Sequence, residues 1–440
     1  MSEQVHTEQQ VIEDFWLKLD NAAKMYPALM NREFTAVFRF SATLKQPVQI
    51  GPFFRAVRRV EKRFPYFKMQ LKSGFFWYYL EHNNTPISVQ EDTGAMCRKF
   101  DRETDHGLLL RILVRERTVS VEFSHILTDG KGATEFFRSL LITYFAETGI
   151  QIPSGLHYFH PNDPISGEEL EDSFQRYFRK NLPDLTRLAR AFHLPFKLRR
   201  SARFTTSTMI LSLGQIKQKA SHYSVSVTEF LISAYLCALQ EVYRNLPQAQ
   251  KRRNNKILRI QVPVNLRNIF PSSSMRNLTL FVLPEIDLRL GYYTFQEILK
   301  KVHHQMALEK DQKLISRTIS RNVGSEKNKM VRTIPLFIKS LILQTQYYSL
   351  GANLYSGELT NLGRLDLSST LNEKIEAVTF VPPPPNKALK IDCGVIGFQD
   401  NLVLTFGNIT RSRDFEQRLL QILSDQGVEP EFTDIQNTES

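Results

Sequence analysis

The apolar residues in the first part of the chain follow a strand period in some stretches and a helix period in others. Residues 34–40 alternate apolar and polar positions as a half-buried strand does. Residues 51–64 repeat apolar positions at helical spacing, with Pro52 near the start and Pro65 at the end. A helix is also predicted over residues 15–23. Further strands are predicted at 67–71, 75–80 and 109–114. This order predicts a mixed α/β unit.

One predicted strand and the helix after it enclose a polar corner. Residues 119–123 alternate as a strand, and residues 136–141 have the i, i+3, i+4 spacing of an amphipathic helix. The corner between them holds His125, Asp129 and Gly130. His125 therefore lies just past a strand end, where a rigid scaffold can expose a side chain.

The second part of the chain repeats this kind of order. A strand at 208–213 and a helix at 230–239 precede a buried strand at 257–265, and the turn residues at 399–401 join two further strands. A closing helix is predicted at 415–423. Since 440 residues also exceed the length at which one hydrophobic core stops growing, we predict an α/β protein of the α+β type with two structurally similar lobes.

The predicted lobes comprise residues 1–168 and 204–440, because Pro, Gly, His and Asn accumulate from 153 to 164. Residues 169–203 form a strongly basic connector between them. A solvated helical connector is the favoured interpretation of this segment. The alternative, a surface that docks an anionic donor or a membrane, stays open.

Bulk properties narrow the function classes only in part. The net charge of +12 suits anionic partners such as CoA phosphates, an acidic carrier protein, a membrane face or nucleic acid. The basic residues are not interleaved with aromatic residues on a recognisable reading module, so no nucleic-acid partner is expected. Three widely spaced cysteines imply neither a disulfide framework nor a zinc site. No apolar run is long enough to span a bilayer and the first residues resemble no signal sequence, so a cytoplasmic protein is expected.

The corner offers a candidate general base, which a reaction that removes the proton of a hydroxyl requires. An imidazole with an ordinary pKa of about 6.5 is largely neutral at pH 7, so His125 can accept that proton. Asp129 lies at the predicted start of the helix, where a carboxylate accepts backbone N–H groups. A strand-end histidine that bonds only to the backbone is the structural alternative.

The pattern His125-x-x-x-Asp129-Gly130 between a strand and a helix resembles the signature of the CoA-dependent acyltransferase superfamily. That superfamily includes chloramphenicol acetyltransferase, the condensation domains of nonribosomal peptide synthesis, mycobacterial polyketide-associated acyltransferases and alcohol acetyltransferases. The resemblance implies two chloramphenicol-acetyltransferase-like lobes. Each would be a mixed sheet covered by helices, and a channel between them would hold His125.

Two more stretches extend the resemblance over most of the chain. The sequence Val-Pro-Val-Asn-Leu-Arg that ends at Arg267 resembles the superfamily's strand-end Asn/Asp-x-Arg element, which implies that Arg267 pairs with Asp129 and holds the corner in shape. Gly130 would then lack a Cβ because it lies beside the tunnel. Thr-Asn-Leu-Gly resembles the Ser/Thr-Asn-x-Gly strand, which implies Thr360 as the donor to the oxyanion and Asn361 as its support.

The stretch from Val262 to Leu278, in which a Phe-Pro-Ser loop and an asparagine follow the arginine, is most similar to the bacterial alcohol-acetyltransferase-like branch. Two departures limit the comparison. Ser124 stands where condensation domains usually place a first histidine, which disfavours formation of a peptide bond. The Asp-Phe-Gly-Trp-Gly element of the plant branch has only loose counterparts, which disfavours plant substrates.

The resemblance implies an acyltransferase that moves an acetyl or longer acyl group from acyl-CoA to an acceptor hydroxyl, with His125 as the general base. Acyl-CoA would be a co-substrate, with no permanently bound cofactor and no metal. The acceptor would be a small molecule or a lipid, and the protein a monomer; an acyl carrier protein and a peripheral membrane contact are further candidate partners. The alternatives are a carrier-protein-dependent condensation or amide-forming enzyme, and a non-catalytic binding protein of the same fold. The acyl length and the acceptor stay open.

Overall fold

The computed structural model describes residues 15–31, 34–183, 188–200, 204–347 and 351–433. The strands in this part are β1 (Trp16–Lys18), β2 (Val37–Leu44), β3 (Met69–Ser73), β4 (Tyr78–His82), β5 (Val89–Glu91), β6 (Leu110–Arg115), β7 (Thr118–Ser124), β8 (Thr205–Ser212), β9 (Ile257–Asn265), β10 (Thr279–Val282), β11 (Glu285–Asp287), β12 (Gly357–Arg364), β13 (Ile375–Val381), β14 (Ile391–Phe398), β15 (Asn401–Asn408) and β16 (Glu431–Thr433). The α-helices are α1 (Tyr26–Leu29), α2 (Ile50–Arg63), α3 (Gly130–Glu147), α4 (Ser173–Arg176), α5 (Leu213–His222), α6 (Val227–Arg244), α7 (Gln248–Arg253), α8 (Phe295–Glu309), α9 (Gln312–Lys327), α10 (Lys329–Thr333), α11 (Leu336–Gln346), α12 (Ser369–Asn372) and α13 (Asp414–Asp425).

The first lobe is built on a five-stranded sheet in the order β13-β2-β7-β6-β5, with helices α2 and α3 packed against each other beside it. Phe38, Phe123 and Phe136 are buried between the sheet and these helices. The other face of the sheet carries a buried ion network in which Glu122 pairs with Arg111. β7 is therefore buried along nearly its whole length, and its end is a rigid base for His125.

One strand of the first sheet comes from the second half of the chain. β13 pairs antiparallel with β2, with Phe380 opposite Phe40. Residues 375–381 thus lie in the first lobe, although the predicted division places all of 204–440 in the second. The division at 168 and 204 otherwise stays a prediction.

The second lobe is built on an eight-stranded sheet in the order β10-β9-β12-β14-β15-β8-β16, with β11 also paired to β9. Helix α6 packs on this sheet and contacts α8 and α13. β12 is parallel to both of its neighbours, β9 and β14. Three strands that are distant in the chain therefore end side by side.

The helix predicted over residues 15–23 is wrong. Trp16–Lys18 is a strand, with Trp16 opposite Glu81 of β4, and Ala23–Met25 is a single turn of 3-10 helix. The edge of a three-stranded sheet gives this backbone its hydrogen bonds, and such tertiary pairing overrides local helical spacing.

The basic connector is also not the predicted helix in its described residues, 169–183 and 188–200. Ser173–Arg176 is the α-helix there, and the later part runs as irregular chain along the second lobe. The amide of Phe192 donates to the carbonyl of Ile257 at 2.7 Å, and the amide of Arg199 donates to that of Ile409 at 2.9 Å. These backbone bonds replace those of a helix. The rest of the connector lies outside the described residues, and its docking role stays a prediction.

Among the described residues no single helix is long and apolar enough to cross a membrane. One pair, α5 with α6, meets that criterion by length and composition when its two helices are taken together, and the pair is bent by 88°.

Candidate active site

A cavity of about 1920 Å³ lies between the two lobes. His125 and Tyr26 line it from the first half of the chain, while Gln261, Glu358 and Thr360 line it from the second. The structure thus brings the predicted site residues of both lobes to one space. In the described residues, no group of three or more His, Cys, Asp or Glu side chains is arranged to hold a metal ion.

His125 is held from several sides where β7 ends. Its amide donates to the carbonyl of Ala36 at 2.9 Å, and its own carbonyl accepts from Asn277 Nδ2 at 2.9 Å. The ring of Tyr26 stacks on the imidazole at 5.3 Å, and the ring centroid of Phe38 lies 4.4 Å away. These contacts fix both the backbone and the plane of the imidazole.

The surroundings of His125 keep its imidazole neutral. Burial lowers its pKa from 6.5 to about 4, and the nearby charge of Asp129 opposes this shift without cancelling it. At pH 7 the ring is therefore unprotonated and able to accept a proton.

Asp129 is the N-cap of helix α3, as its position predicts. Oδ1 accepts from the amide of Gly132 at 3.1 Å, and Oδ2 accepts from the amide of Leu278 at 2.9 Å and the hydroxyl of Thr279 at 3.0 Å. Oδ2 also accepts from Arg267 Nη1 at 2.8 Å. Burial alone would raise the pKa of Asp129, but Arg267 and these hydrogen bonds hold it below its usual value.

Arg267 reaches Asp129 from the second lobe, directly after strand β9. Its Nε donates to the carbonyl of Ser274 at 2.9 Å, and Nη1 also donates to Asn265 Oδ1 at 3.1 Å. Both the guanidinium and the carboxylate are nearly fully buried. The pair therefore links the two lobes directly beneath the His125 corner.

Two glycines of helix α3 have neighbouring atoms where a side chain would have to lie. A Cβ on Gly130 would meet Leu362 Cδ2 at 2.5 Å, so the absence of a side chain there is explained by a neighbouring side chain at the cavity. Gly132, which sequence reasoning missed, is more constrained. Its Cβ would lie 2.3 Å from Thr128 Oγ1 and 2.4 Å from the carbonyl oxygen of Met275, and a backbone atom cannot easily move away.

Thr360 and Asn361 lie on strand β12 and line the cavity. The hydroxyl of Thr360 donates to Glu358 Oε1 at 3.1 Å. Asn361 Nδ2 donates to Thr228 Oγ1 at 3.0 Å, and its Oδ1 accepts from the amide of Gly363 at 2.9 Å. Asn361 thus fixes the strand, while the single proton of Thr360 is directed at a carboxylate.

Glu358 is a site residue that the sequence analysis missed. Its Oε2 accepts from Gln261 Nε2 at 3.0 Å, and Asp392 is its register partner on the parallel strand β14. Burial raises the pKa of Glu358 to about 7 and, together with Glu358, raises that of Asp392 well above its usual range. The signal was in the sequence: positions 358 and 360 differ by two, so their side chains share one face of a strand.

No protein-family model matches the sequence, and no curated protein matches it.

Solved structures, in contrast, match nearly the whole chain. The TRI101 protein of F. sporotrichioides, solved with coenzyme A and T-2, has a TM-score of 0.62 and 12% identity, covering 95% of this chain and 99% of its own. Polyketide synthase associated protein 5 of Mycobacterium tuberculosis has a TM-score of 0.60 and 14% identity, covering 93% and 98%. The epimerization domain TycB3(E) of tyrocidine synthetase B has a TM-score of 0.59 and 11% identity, covering 94% and 97%.

The chain therefore has the two-lobed fold that condensation domains and CoA-dependent acyltransferases share. This confirms the predicted fold and the resemblance at the level of architecture. At such low identities the likeness concerns the fold, and the roles of individual residues must be argued from their own geometry.

Proposed function

We propose that this protein is an acyltransferase that moves an acyl group from acyl-CoA to the hydroxyl of an acceptor. The observation that carries the proposal is a neutral His125 at the cavity between the lobes, on a corner fixed by Asp129 and Arg267. Similar structures that were solved with coenzyme A support CoA as the carrier of the acyl group. Acyl-CoA is a co-substrate in this proposal, and the acceptor is a small molecule or a lipid.

In the proposed reaction His125 removes the proton of the acceptor hydroxyl, and the oxygen attacks the thioester carbonyl carbon. A tetrahedral intermediate with a negatively charged oxygen forms. When it collapses, the carbon–sulfur bond breaks and the proton on the imidazolium passes to the CoA sulfur. The products are an ester and the free thiol, and no cysteine or serine nucleophile is needed.

Thr360 is the proposed donor to the oxyanion. Its hydroxyl has one proton, which an ionised Glu358 accepts, so Thr360 can donate to the oxyanion only when that bond is given up. A protonated Glu358 can instead donate to the hydroxyl oxygen of Thr360. The Thr360 proton is then free to form a hydrogen bond with the substrate. Asp129, Gly130, Arg267 and Asn361 are proposed positioning residues.

The test is release of CoA thiol from a panel of acyl-CoA lengths, measured with a thiol reagent and several alcohols and a glycolipid as acceptors. His125→Ala should lower turnover by about a hundredfold or more, because the base is lost. The exposed His304→Ala is the matched control and should retain turnover. Undiminished turnover by His125→Ala, with an unchanged unfolding midpoint, would contradict the proposal.

A second candidate is a condensation or amide-forming enzyme whose donor is a carrier protein. The similarity to a condensation domain and to an epimerization domain favours it, while Ser124 in place of a first histidine disfavours it. Acyl carrier protein and free acyl-CoA, offered as donors at equal concentration, separate the two. A non-catalytic binding protein would turn over neither. The remaining expectations, a monomer that acts in the cytoplasm, belong to the same proposal.

A further inference from the structure

Large apolar side chains gather at one exposed edge of the cavity, here called the apolar rim. It combines the turn between β3 and β4 with one face of helix α11 and a residue of α10. The most exposed members are Phe75 at 71%, Phe337 at 73%, Leu341 at 65% and Met330 at 79%. The other members are Phe76, Trp77, Ile338 and Ile342. Contiguous exposed apolar surface of this kind marks an interaction site.

The two parts of the apolar rim are joined to each other. The amide of Leu336 donates to the carbonyl of Phe75 at 2.9 Å. Lys339 Nζ donates to the carbonyl of Phe76 at 3.2 Å and lies 3.5 Å from the ring centroid of Trp77. The aromatic turn and the helix therefore form one surface, with a lysine between them.

Helix α11 is apolar on two sides. None of its residues is buried, yet six of its eleven residues are Leu, Ile or Phe. Leu336 and Leu343 line the cavity, whereas Phe337 and Leu341 do not line it and are exposed. A surface helix is expected to carry polar residues on its solvent-facing side. In helix α11 the exposed positions 337 and 341 are Phe and Leu instead.

The apolar rim is also continuous with the cavity, because Phe76, Trp77 and Ile342 line the cavity while remaining partly exposed. Whatever covers the rim therefore lies against the cavity mouth.

The helix side of the apolar rim is basic, and the acid that precedes it in the chain, Glu326, is paired with Lys24. From position 327 to 346 the chain contains Lys327, Lys329, Arg332 and Lys339 and no Asp or Glu. On the turn side Lys72 is paired with Glu81 at 3.3 Å, so the basic charge of the rim comes from the helix side. Exposed aromatic and aliphatic side chains flanked by Lys and Arg are typical of surfaces that lie in an anionic membrane interface.

We propose that the apolar rim docks on an anionic lipid bilayer and places the cavity mouth against the lipid. Phe75, Phe337 and Leu341 would enter the headgroup region, while the basic residues would contact anionic headgroups. Given the proposed acyl transfer, a membrane-dissolved acceptor or a long acyl chain would enter the cavity from the bilayer. This surface is distinct from the basic connector, for which docking was considered from the sequence.

The test is sedimentation of the full-length protein with vesicles of phosphatidylcholine alone or with phosphatidylglycerol added. Binding should require phosphatidylglycerol and weaken as salt is raised. Phe337→Ser with Leu341→Ser should lower the partition coefficient by about tenfold for each side chain, since burial of such a group corresponds to about that factor. Leu290→Ser with Leu308→Ser is the matched control, because those residues are 78% and 65% exposed on the second lobe.

A second pair tests the charge. Lys329→Gln with Arg332→Gln should weaken binding to the anionic vesicles by about fivefold per residue. Absence of wild-type binding to anionic vesicles, or equal loss in the rim and control pairs, overturns the proposal. A rim-dependent dimer in light scattering without vesicle binding also overturns it and identifies a second copy as the occupant.

Failure of docking and failure of the proposed function are distinguishable. His125→Ala should sediment with vesicles as the wild type does but release no thiol. The Phe337 and Leu341 variant should release thiol from a short acyl-CoA with a soluble alcohol as the wild type does, but should not sediment. Loss of both properties in the rim variant would contradict the separation of docking from chemistry.

Discussion

The two halves of the candidate site differ in how completely their charged groups are paired. On the first-lobe side both oxygens of Asp129 accept hydrogen bonds, and its charge is matched by Arg267. On the second-lobe side Glu358 and Asp392 are neighbouring carboxyl groups, and none of the ion pairs among the described residues includes either. Asp392 Oδ1 is buried with no hydrogen-bond partner in that part of the chain.

Folding therefore fixes the arrangement of the charged groups on the first-lobe side of the site. On the second-lobe side the arrangement depends on protonation and on bound ligands. The Asp129 carboxylate has one arrangement in which both of its oxygens accept hydrogen bonds and its charge is paired with Arg267. The carboxyl groups on β12 and β14 are desolvated without a basic partner in the described residues, and only Glu358 receives side-chain hydrogen bonds, from Thr360 and Gln261. Proteins retain such a condition mainly at functional positions. We therefore expect substitutions on the first-lobe side of the site to change stability most. Substitutions on the second-lobe side should change how stability and activity depend on pH.

The largest effect is expected for Asp129→Ala. It leaves the buried guanidinium of Arg267 without its carboxylate and removes the partner of the Leu278 amide. Loss of one member of a buried ion pair costs about 3–5 kcal/mol of unfolding free energy, measurable by urea denaturation. The double variant with Arg267→Met should lose less than the sum of the two single variants. A loss of unfolding free energy below about 1 kcal/mol for Asp129→Ala would contradict the inference that the buried pair with Arg267 stabilises this side of the site.

An intermediate effect is expected for Gly132→Ala. The added methyl group must displace both the Thr128 hydroxyl and the Met275 carbonyl, and crowding of this kind costs about 1–3 kcal/mol. Gly167→Ala is the control, because a Cβ there meets no atom within 4 Å. Thermal unfolding of both variants compares them. Equal midpoints would show that the corner can relax.

Glu358→Gln is expected to change stability at a fixed pH less than Asp129→Ala or Gly132→Ala does. It is expected to change the pH dependence of stability most. The folded protein holds the Glu358 proton up to about pH 7, whereas the ordinary pKa is 4.5. The folded state thus binds more protons in this window, so its contribution to unfolding free energy falls as pH rises, on the order of 3 kcal/mol in total. The variant should lack the part of this fall that Glu358 causes and keep the part that Asp392 causes, because burial raises the pKa of Asp392 as well. Parallel pH profiles of wild type and variant would contradict the raised pKa.

Glu358 should also determine how turnover depends on pH. Turnover by the wild type should decline as pH rises through about 7, because ionised Glu358 accepts the Thr360 proton. Glu358→Gln should lack that decline, whatever its absolute rate. Neither protein should lose activity between pH 7 and 5 through His125, because its pKa of about 4 keeps the imidazole neutral there. Steady-state rates measured from pH 5 to 9 test all three statements.

Much of the fold and part of the site could be predicted because the relevant residues are close in sequence. The strand, corner and helix around His125 depend on local spacing, and so does the N-cap at Asp129. The approach of Arg267 to Asp129 follows from the resemblance alone, since 138 positions separate them. That pair lies together in the structure as the resemblance implies.

The rest depends on strand pairing between distant segments, which local patterns do not encode. Asp392 faces Glu358 only because β12 and β14 are parallel in one particular register. The wrong helix at residues 15–23 has the same origin, since pairing with β4 decides the conformation of Trp16–Lys18. Asn277, which holds the His125 carbonyl, likewise belongs to a loop whose position only the assembled lobes define.

Strand β13 has a consequence for synthesis of the chain on the ribosome. The rings of Phe380 and Phe40 lie 5.2 Å apart, and β13 covers the outer edge of β2. During translation this edge stays uncovered until residue 381 has left the exit tunnel, more than three hundred residues after β2. An open strand edge is a template for aggregation, so the nascent first lobe is expected to need chaperone protection throughout that interval.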